Sequence, residues 1–415
     1  MLLKAVGLLP VILTMLIAPV RGGFITLDLP QGRTTGVSAD GSVVIGLVPS
    51  ASPGGGSYAY RWTASGDVTR LAQLDTANPL GAPRSLSVDG STIVGEQAGG
   101  VVLDAFGRKL TGMQAVRWTA GGIQPLVSIG ATSAPAAFES QATAISADGS
   151  VIAGYYNRQN LSTWLTQGIP VRLDNPLDPA NPIIYPTGAF VWTAATGAIP
   201  LGDLRGSAPP TPPYSLAKAI SADGTTIVGR TANANSVMIP FRWTQASGMV
   251  PLGPGNPAIN GEACVVSPDG SMIFGRAAYG TALFRWTLAD GITYIPALPL
   301  GGDASISEIT GMTADGTRIV GSAGLADAGF SAWEWDQTHG FRKMSDVLHD
   351  DFGIDMGGFH PTWASGISAD GSTIVGAGSF SDGVQVPFIA TLPEPASFSV
   401  MGLAMVACCL ARRRG

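Results

Sequence analysis

Seven aspartates recur in one setting. Asp40, Asp89, Asp148, Asp223, Asp269, Asp315 and Asp370 each stand in the phrase Ser/Thr-x-Asp-Gly-Ser/Thr, followed after three residues by Gly. A ring of carboxylates can hold calcium or supply an acid and a base. The same residues can shape turns, because an Asp side chain accepts hydrogen bonds from nearby backbone N–H groups. Turn formation needs Asp-Gly in every copy, whereas a catalytic pair needs two positions. The regularity therefore favours the turn.

Other residue types invite similar readings. Arg61, Arg117, Arg242 and Arg285 each precede a tryptophan and suggest a basic ring around a channel. The equivalent positions Val191, Glu334 and Ile389 break that ring, so ion pairs between units, or stacking on a neighbouring aromatic, fit better. The tryptophans can line a sugar-binding face, but their even distribution over the units favours core packing. His339, His349 and His360 cluster near Asp346, Asp350, Asp351 and Asp355 without the spacing of a metal site. A solvated helix and loop is expected there, with no metal and no cofactor. There is no Gly-x-Ser-x-Gly elbow, phosphate loop or Cys-His pair in a supporting context.

Insertions are more informative, because binding residues sit on loops carried by a rigid scaffold. The largest, Tyr155–Thr187, holds Tyr155, Tyr156, Arg158, Trp164, Arg172, Asp174, Asp178 and Tyr185. Aromatic rings beside charged groups suit carbohydrate, so Tyr155, Tyr156, Arg158, Trp164, Arg172 and Tyr185 form the candidate ligand site. A second insertion, Glu96–Met113, adds Glu96, Asp104, Arg108 and Lys109. The plainer reading of both is loop packed over the edge of the fold.

Composition narrows the class of protein that must position these residues. Charged residues make up 13%, while Gly and Pro number 56 and 30. That suits short strands and many tight turns rather than charged helices. A net charge of -6 argues against nucleic acid and against docking on anionic lipid. Cys264 is alone in the body, Cys408 and Cys409 being near the C-terminus, so packing and strand pairing must hold the fold.

The aspartates lie 46 to 75 residues apart and mark seven repeats. A second phrase follows each first one. It reads Tyr60-Arg61-Trp62-Thr63, Val116–Thr119, Phe190–Thr193, Phe241–Thr244 and Phe284–Thr287, then weakens to Trp333–Asp336 and Phe388–Thr391. A Gly-x-x-x-Leu phrase comes next, as in Gly197–Leu201 and Gly248–Leu252. Each unit thus offers four short strands, about Ala217–Ser221, Thr226–Gly229, Pro240–Thr244 and Met249–Leu252 in the fourth. Asp-Gly between the first two signals a hairpin, of type I′ if both residues take positive φ. Four strands in roughly 46 residues is the size of a propeller blade.

The seventh unit lacks its last strand, and Gly23–Leu27 supplies a match for it. The expectation is an all-β fold over 23–392, a seven-bladed propeller closed by its N-terminal strand so that no edge is free. The stretch Lys343–Trp363 is expected to include a short amphipathic helix, with Met344, Val347 and Leu348 on one face.

The two ends read as sorting segments. Residues 1–22 have Lys4, an apolar run and small residues at the end, the plan of a signal peptide. Residues 393–415 carry Pro393-Glu394-Pro395, a short apolar stretch and Arg412-Arg413-Arg414. This ending resembles the PEP-CTERM sorting signal of Gram-negative bacteria, which implies recognition by an exosortase and delivery to the cell surface or exopolysaccharide matrix. The apolar stretch is short for a transmembrane helix. The phrases Ala-Ile-Ser-Ala-Asp-Gly and Phe-Arg-Trp-Thr resemble the HAF repeat of extracellular bacterial proteins, a family without an agreed activity. The expected function is a non-catalytic scaffold at the surface or in the matrix, binding exopolysaccharide or surface proteins. Its partners are the export machinery and the exosortase, and only its ends touch membrane. The alternative is a carbohydrate-active hydrolase or lyase using carboxylates on one propeller face.

Overall fold

Each repeat folds into a hairpin around its Asp-Gly. In a computed structural model, residues 22–49, 56–76, 80–103, 109–126, 137–159, 187–204, 214–253, 260–277, 280–295, 305–325 and 329–393 are described. Ser38 Oγ donates to Asp40 Oδ1 at 2.6 Å and accepts the Val43 N–H at 2.9 Å, while Asp40 Oδ1 accepts the Ser42 N–H at 3.0 Å. The same lock recurs around Asp89, Asp148, Asp223, Asp269, Asp315 and Asp370.

The turn differs from the type I′ hairpin suggested by the sequence. Only the glycine takes positive φ, from 65° at Gly90 to 75° at Gly149 and Gly371. The Gly41 N–H donates to Ser38 O, so a type I turn opens a loop of residues 39–42. The aspartate stays in an ordinary conformation because its carboxylate, rather than its backbone, organises the loop.

Seven four-stranded antiparallel sheets follow from these hairpins. Blade 4 has strands Ser215–Ile220, Ile227–Ala232, Met238–Thr244 and Gly248–Pro251. The last sheet closes as expected: Gly23–Thr26 pairs with Gln385–Thr391, Gly23 opposite Thr391 and Thr26 opposite Phe388. Val44, Tyr60 and Trp62 of blade 1 then pack with Val375 and Ile389 of blade 7 in one cluster. The ring is a seven-bladed β-propeller.

The core lies between blades. The first position of the aromatic-x-Trp phrase is fully buried in every unit: Tyr60, Val116, Phe190, Phe241, Phe284, Trp333 and Phe388. Burying a large apolar side chain contributes roughly 1.5–3 kcal/mol, so these residues are a principal source of stability. Trp62, Trp118, Trp192 and Trp286 are buried beside them, which settles the tryptophans as packing residues. The Arg117 guanidinium stacks on the Trp192 ring of the next blade at 4.8 Å. Where a unit has Glu334 instead of arginine, that carboxylate pairs with Arg318 at 2.7 Å, and Arg318 also reaches Gly371 O of the next blade.

The expected helix is present. Met344–Asp346 is α-helical and continues as a π-helical turn over Val347–Asp351, with Met344, Val347 and Leu348 buried. His339 and His349 are exposed and contact Asp336 and Asp350 respectively. Among the described residues no helix is long and apolar enough to cross a membrane. Residues 1–21 and 394–415, which hold all but Gly22 of the segment read as a signal peptide, together with Glu394, Pro395, the apolar stretch and Arg412–Arg414, lie outside them.

Candidate functional site

Strand direction sorts every connection to one of two faces. The innermost strand of each blade runs into the Asp-Gly turn, the second returns, and the third runs back to another tight turn. Both kinds of turn therefore share one face. The second-to-third connections and the links between blades share the other, and these include both long insertions.

The turn face is tied around the ring by backbone hydrogen bonds. The residue between Ser and Asp donates its N–H to the carbonyl of its counterpart in the next blade. The links run Ala39 to Val88, Val88 to Ala147, Ala147 to Ala222, Ala222 to Pro268, Ala314 to Ala369 and Ala369 to Ala39, at 2.8–3.3 Å. Blades 5 and 6 lack this link because Pro268 has no N–H.

Between the two faces the channel wall is built by a repeated irregularity. All seven innermost strands carry a β-bulge three residues before the Ser/Thr of the turn. A bulge leaves one residue unpaired and re-aims its side chain. The bulged residues are Thr35, Arg84, Thr143, Lys218, Cys264, Thr310 and Ser365, and every one lines the same axial cavity of about 340 Å³. The bulge also explains the final glycine of the repeat. A Cβ at Gly46, Gly95, Gly154, Gly229, Gly275, Gly321 or Gly376 would run into the carbonyl oxygen two residues before the bulge. Thus the repeat holds the backbone constant while presenting seven side chains that are free to differ.

Three bulged hydroxyls bind the next blade. Thr143 Oγ1 donates to Ala217 O at 2.9 Å, Thr310 Oγ1 to Ala364 O at 2.8 Å and Ser365 Oγ to Thr34 O at 2.8 Å. Thr35 Oγ1 is buried and makes no hydrogen bond among the described residues. One level nearer the mouth, Arg33, Gln141, Glu262, Glu308 and Trp363 complete the wall. Deeper in, the lining turns apolar, with Val37, Leu86, Val265, Val266, Met312 and Ile367.

Charge is concentrated at the mouth. Glu262 is buried at 3% exposure and faces Arg276 at 2.8 Å, Arg230 at 3.6 Å and Lys218 at 3.8 Å. Arg84 grips Glu96 through Nε and Nη2, the shorter contact being 2.6 Å. Burial alone would lower the Arg84 guanidinium, but the Glu96 contacts, with Tyr155 and Glu308 nearby, hold it above its ordinary value. Burial, reinforced by the Glu262 carboxylate, pushes the Cys264 thiol up to about 12. At neutral pH it is an inert thiol rather than a nucleophile.

The residues singled out from sequence are divided by this geometry. Tyr155 lies on the strand Val151–Gln159, opposite Gln141 of the cavity wall. Tyr156 is half-buried and packs on the core shared by blades 2 and 3. Arg158 lies on the strand Val151–Gln159, and Trp164, Arg172 and Tyr185 are outside the described residues. The second insertion is not a loop over the fold edge. It extends the hairpin Ile93–Leu103 and Lys109–Thr119 out of the loop face. Glu96, read as part of that insertion, is instead a buried partner of Arg84.

The seven repeat aspartates are turn residues. Hydrogen bonds from the preceding Ser and the following backbone N–H hold Asp89, Asp148 and Asp269 down to about 2. The channel residues were missed because the repeat phrase begins after them. The available signal was a single column, three residues before each turn serine, that varies among otherwise similar units.

Solved structures share the propeller. Oligogalacturonate lyase from Vibrio parahaemolyticus matches with a TM-score of 0.54 and 12% identity, over 90% of this chain and 98% of that one. A prolyl endopeptidase matches with a TM-score of 0.51 and 12% identity over 90% of this chain, which spans about half of that one (51%). Puromycin hydrolase gives a TM-score of 0.50 and 12% identity, over 84% of this chain and 50% of that one. At such identities the likeness is one of fold. No protein-family model matches the chain, and no curated protein matches its sequence.

Proposed function

We propose that this chain is an exported protein of a Gram-negative cell surface or extracellular matrix, a non-catalytic propeller scaffold that binds exopolysaccharide on its loop face. The observation that carries the reading is the difference between the faces. One face repeats a single turn seven times. The other gathers both long insertions around the mouth of a polar channel, and the seven bulged positions inside that channel hold five residue types. Ligand sites concentrate where variable loops surround a concave polar surface. The ends of the sequence supply the address: the resemblance to a PEP-CTERM signal implies an exosortase as processing partner, and the HAF-like repeats point outside the cell.

A carbohydrate-active enzyme is the second reading, because Glu262 and Glu308 line one cavity. Glu262 is buried, however, and is held in ion pairs with three cations instead of being presented to a substrate. The test is affinity electrophoresis of the full chain in gels containing bacterial polysaccharides, run beside a reducing-end assay. Retardation without new reducing ends is the expected result. New reducing ends would replace the scaffold with an enzyme, and no retardation by any polysaccharide would remove glycan binding altogether.

A further inference from the structure

We propose that the channel mouth seats a uronic acid residue of an acidic polysaccharide, with its carboxylate on Lys218 and Arg33 and its ring face on Trp363. This rests on the scaffold reading and specifies its ligand. The chain as a whole carries a net charge of -6. At and just behind the mouth the balance reverses: Arg33, Arg84, Lys218, Arg230 and Arg276 face Glu96, Glu262 and Glu308, an excess of two positive charges.

The pairing within this cluster leaves cationic capacity unused. Arg276 neutralises Glu262 at 2.8 Å, while Lys218 stands off at 3.8 Å with 36% of its side chain exposed. Among the described residues Glu262 Oε2 accepts no hydrogen bond and meets Arg230 only at 3.6 Å. Arg33 is exposed on the same wall and has no ion-pair partner among the described residues. A cavity with surplus, loosely held cations attracts an anion, and its low-dielectric walls strengthen that attraction.

Charge alone would suit any anion, but the aromatic wall selects a sugar. Trp363 lines the cavity with its ring 6.0 Å from that of Phe330, tilted by 56°, and Phe330 is 54% exposed. Phe330 fixes one side of the indole. A pyranose ring needs a flat apolar surface for its C–H face and acceptors for its hydroxyls. Thr35 Oγ1 has no partner among the described residues. Thr143 and Thr310 spend their hydroxyl protons on neighbouring carbonyls, which leaves oxygen lone pairs for a ligand. The volume of about 340 Å³ is at the lower end of the roughly 300–1,000 Å³ of ligand pockets, so one or two sugar residues enter.

The experiment is calorimetric titration of the full chain with a short polyuronate oligomer, its carboxyl-reduced counterpart and a sulfated dextran oligomer. The polyuronate should bind at least about tenfold tighter than either of the others. Arg33→Gln and Trp363→Leu should each weaken it by about tenfold, with melting temperature recorded for every variant. Arg33→Gln alters an exposed, unpaired side chain, so a folding failure would not confuse the result. Equal binding of the reduced oligomer would overturn the anionic seat while leaving a polysaccharide scaffold intact. Equal binding of sulfated dextran, or indifference to Trp363→Leu, would show a plain polyanion surface and also overturn the proposal. Binding of none of the three, together with no retardation in the gels above, would remove both readings.

Discussion

The two faces of this propeller are made from the same repeats and obey opposite rules. On the turn face, a serine or threonine, an aspartate and a glycine recur seven times with the same hydrogen bonds. A short run of backbone links then ties six of the seven blade junctions. Inside the channel, the bulge recurs but its side chain does not. Repetition marks what every blade needs in order to fold. Variation inside a fixed backbone marks what the ring presents to a ligand.

The largest effect is expected at the glycine that accommodates the bulge. In Gly229→Ala the new methyl would strike Leu216 O, and neither strand can withdraw without losing its ladder. A loss of about 3 kcal/mol or more is expected, read as a large fall in melting temperature or as failure to fold. An unchanged melting temperature would mean that the bulge is not imposed by the backbone.

The turn itself comes next. Ser221 is buried, donates to Asp223 and accepts the Thr226 N–H at 2.9 Å. Ser221→Ala leaves a buried N–H with one partner fewer and should cost about 1–2 kcal/mol in denaturant unfolding.

The same turns set a dependence on acid. Asp89, Asp148 and Asp269 lie near 2 in the folded chain against an ordinary 3.8. A depressed carboxylate contributes stability that is fully present above its ordinary value and is lost as pH falls through the folded one. The melting temperature should therefore fall steadily between about pH 4 and pH 2, and an Asp148→Asn variant should show a shallower slope in that window.

The smallest effect is expected at the broken link. Pro268→Ala restores the N–H that can reach Ala314 O but frees the unfolded chain, so stability should change by less than about 1 kcal/mol. Slow hydrogen exchange at the new amide is the sharper readout, and fast exchange would show that the ring of links is not continued there.

Much of the fold was legible because it rests on local signals repeated seven times. Asp-Gly marked each hairpin, and the alternation of Phe190 and Trp192 put both rings on one side of the sheet, which is the side packed on the preceding blade. The missing last strand of blade 7 pointed to Gly23–Thr26. The channel was not legible for physical reasons. Arg84, Lys218 and Glu262 meet only when the ring closes, and their spacing along the chain records nothing of that. A bulge shifts the side-chain alternation by one residue, so a strict period of two assigns its residue to the wrong side. The candidate Tyr155 pairs across its hairpin with Gln141, a residue of the channel wall. Tyr156, one residue on, went to the core.

Hydrogen–deuterium exchange of the full chain with and without a bound acidic polysaccharide tests whether the loop face is the working face. Protection is expected in the innermost strands near Arg33, Lys218 and Trp363 and in the hairpin Ile93–Thr119, with the seven Asp-Gly turns unchanged. Protection confined to those turns, or none anywhere on a ligand shown to bind, would contradict the assignment of the loop face as the working face.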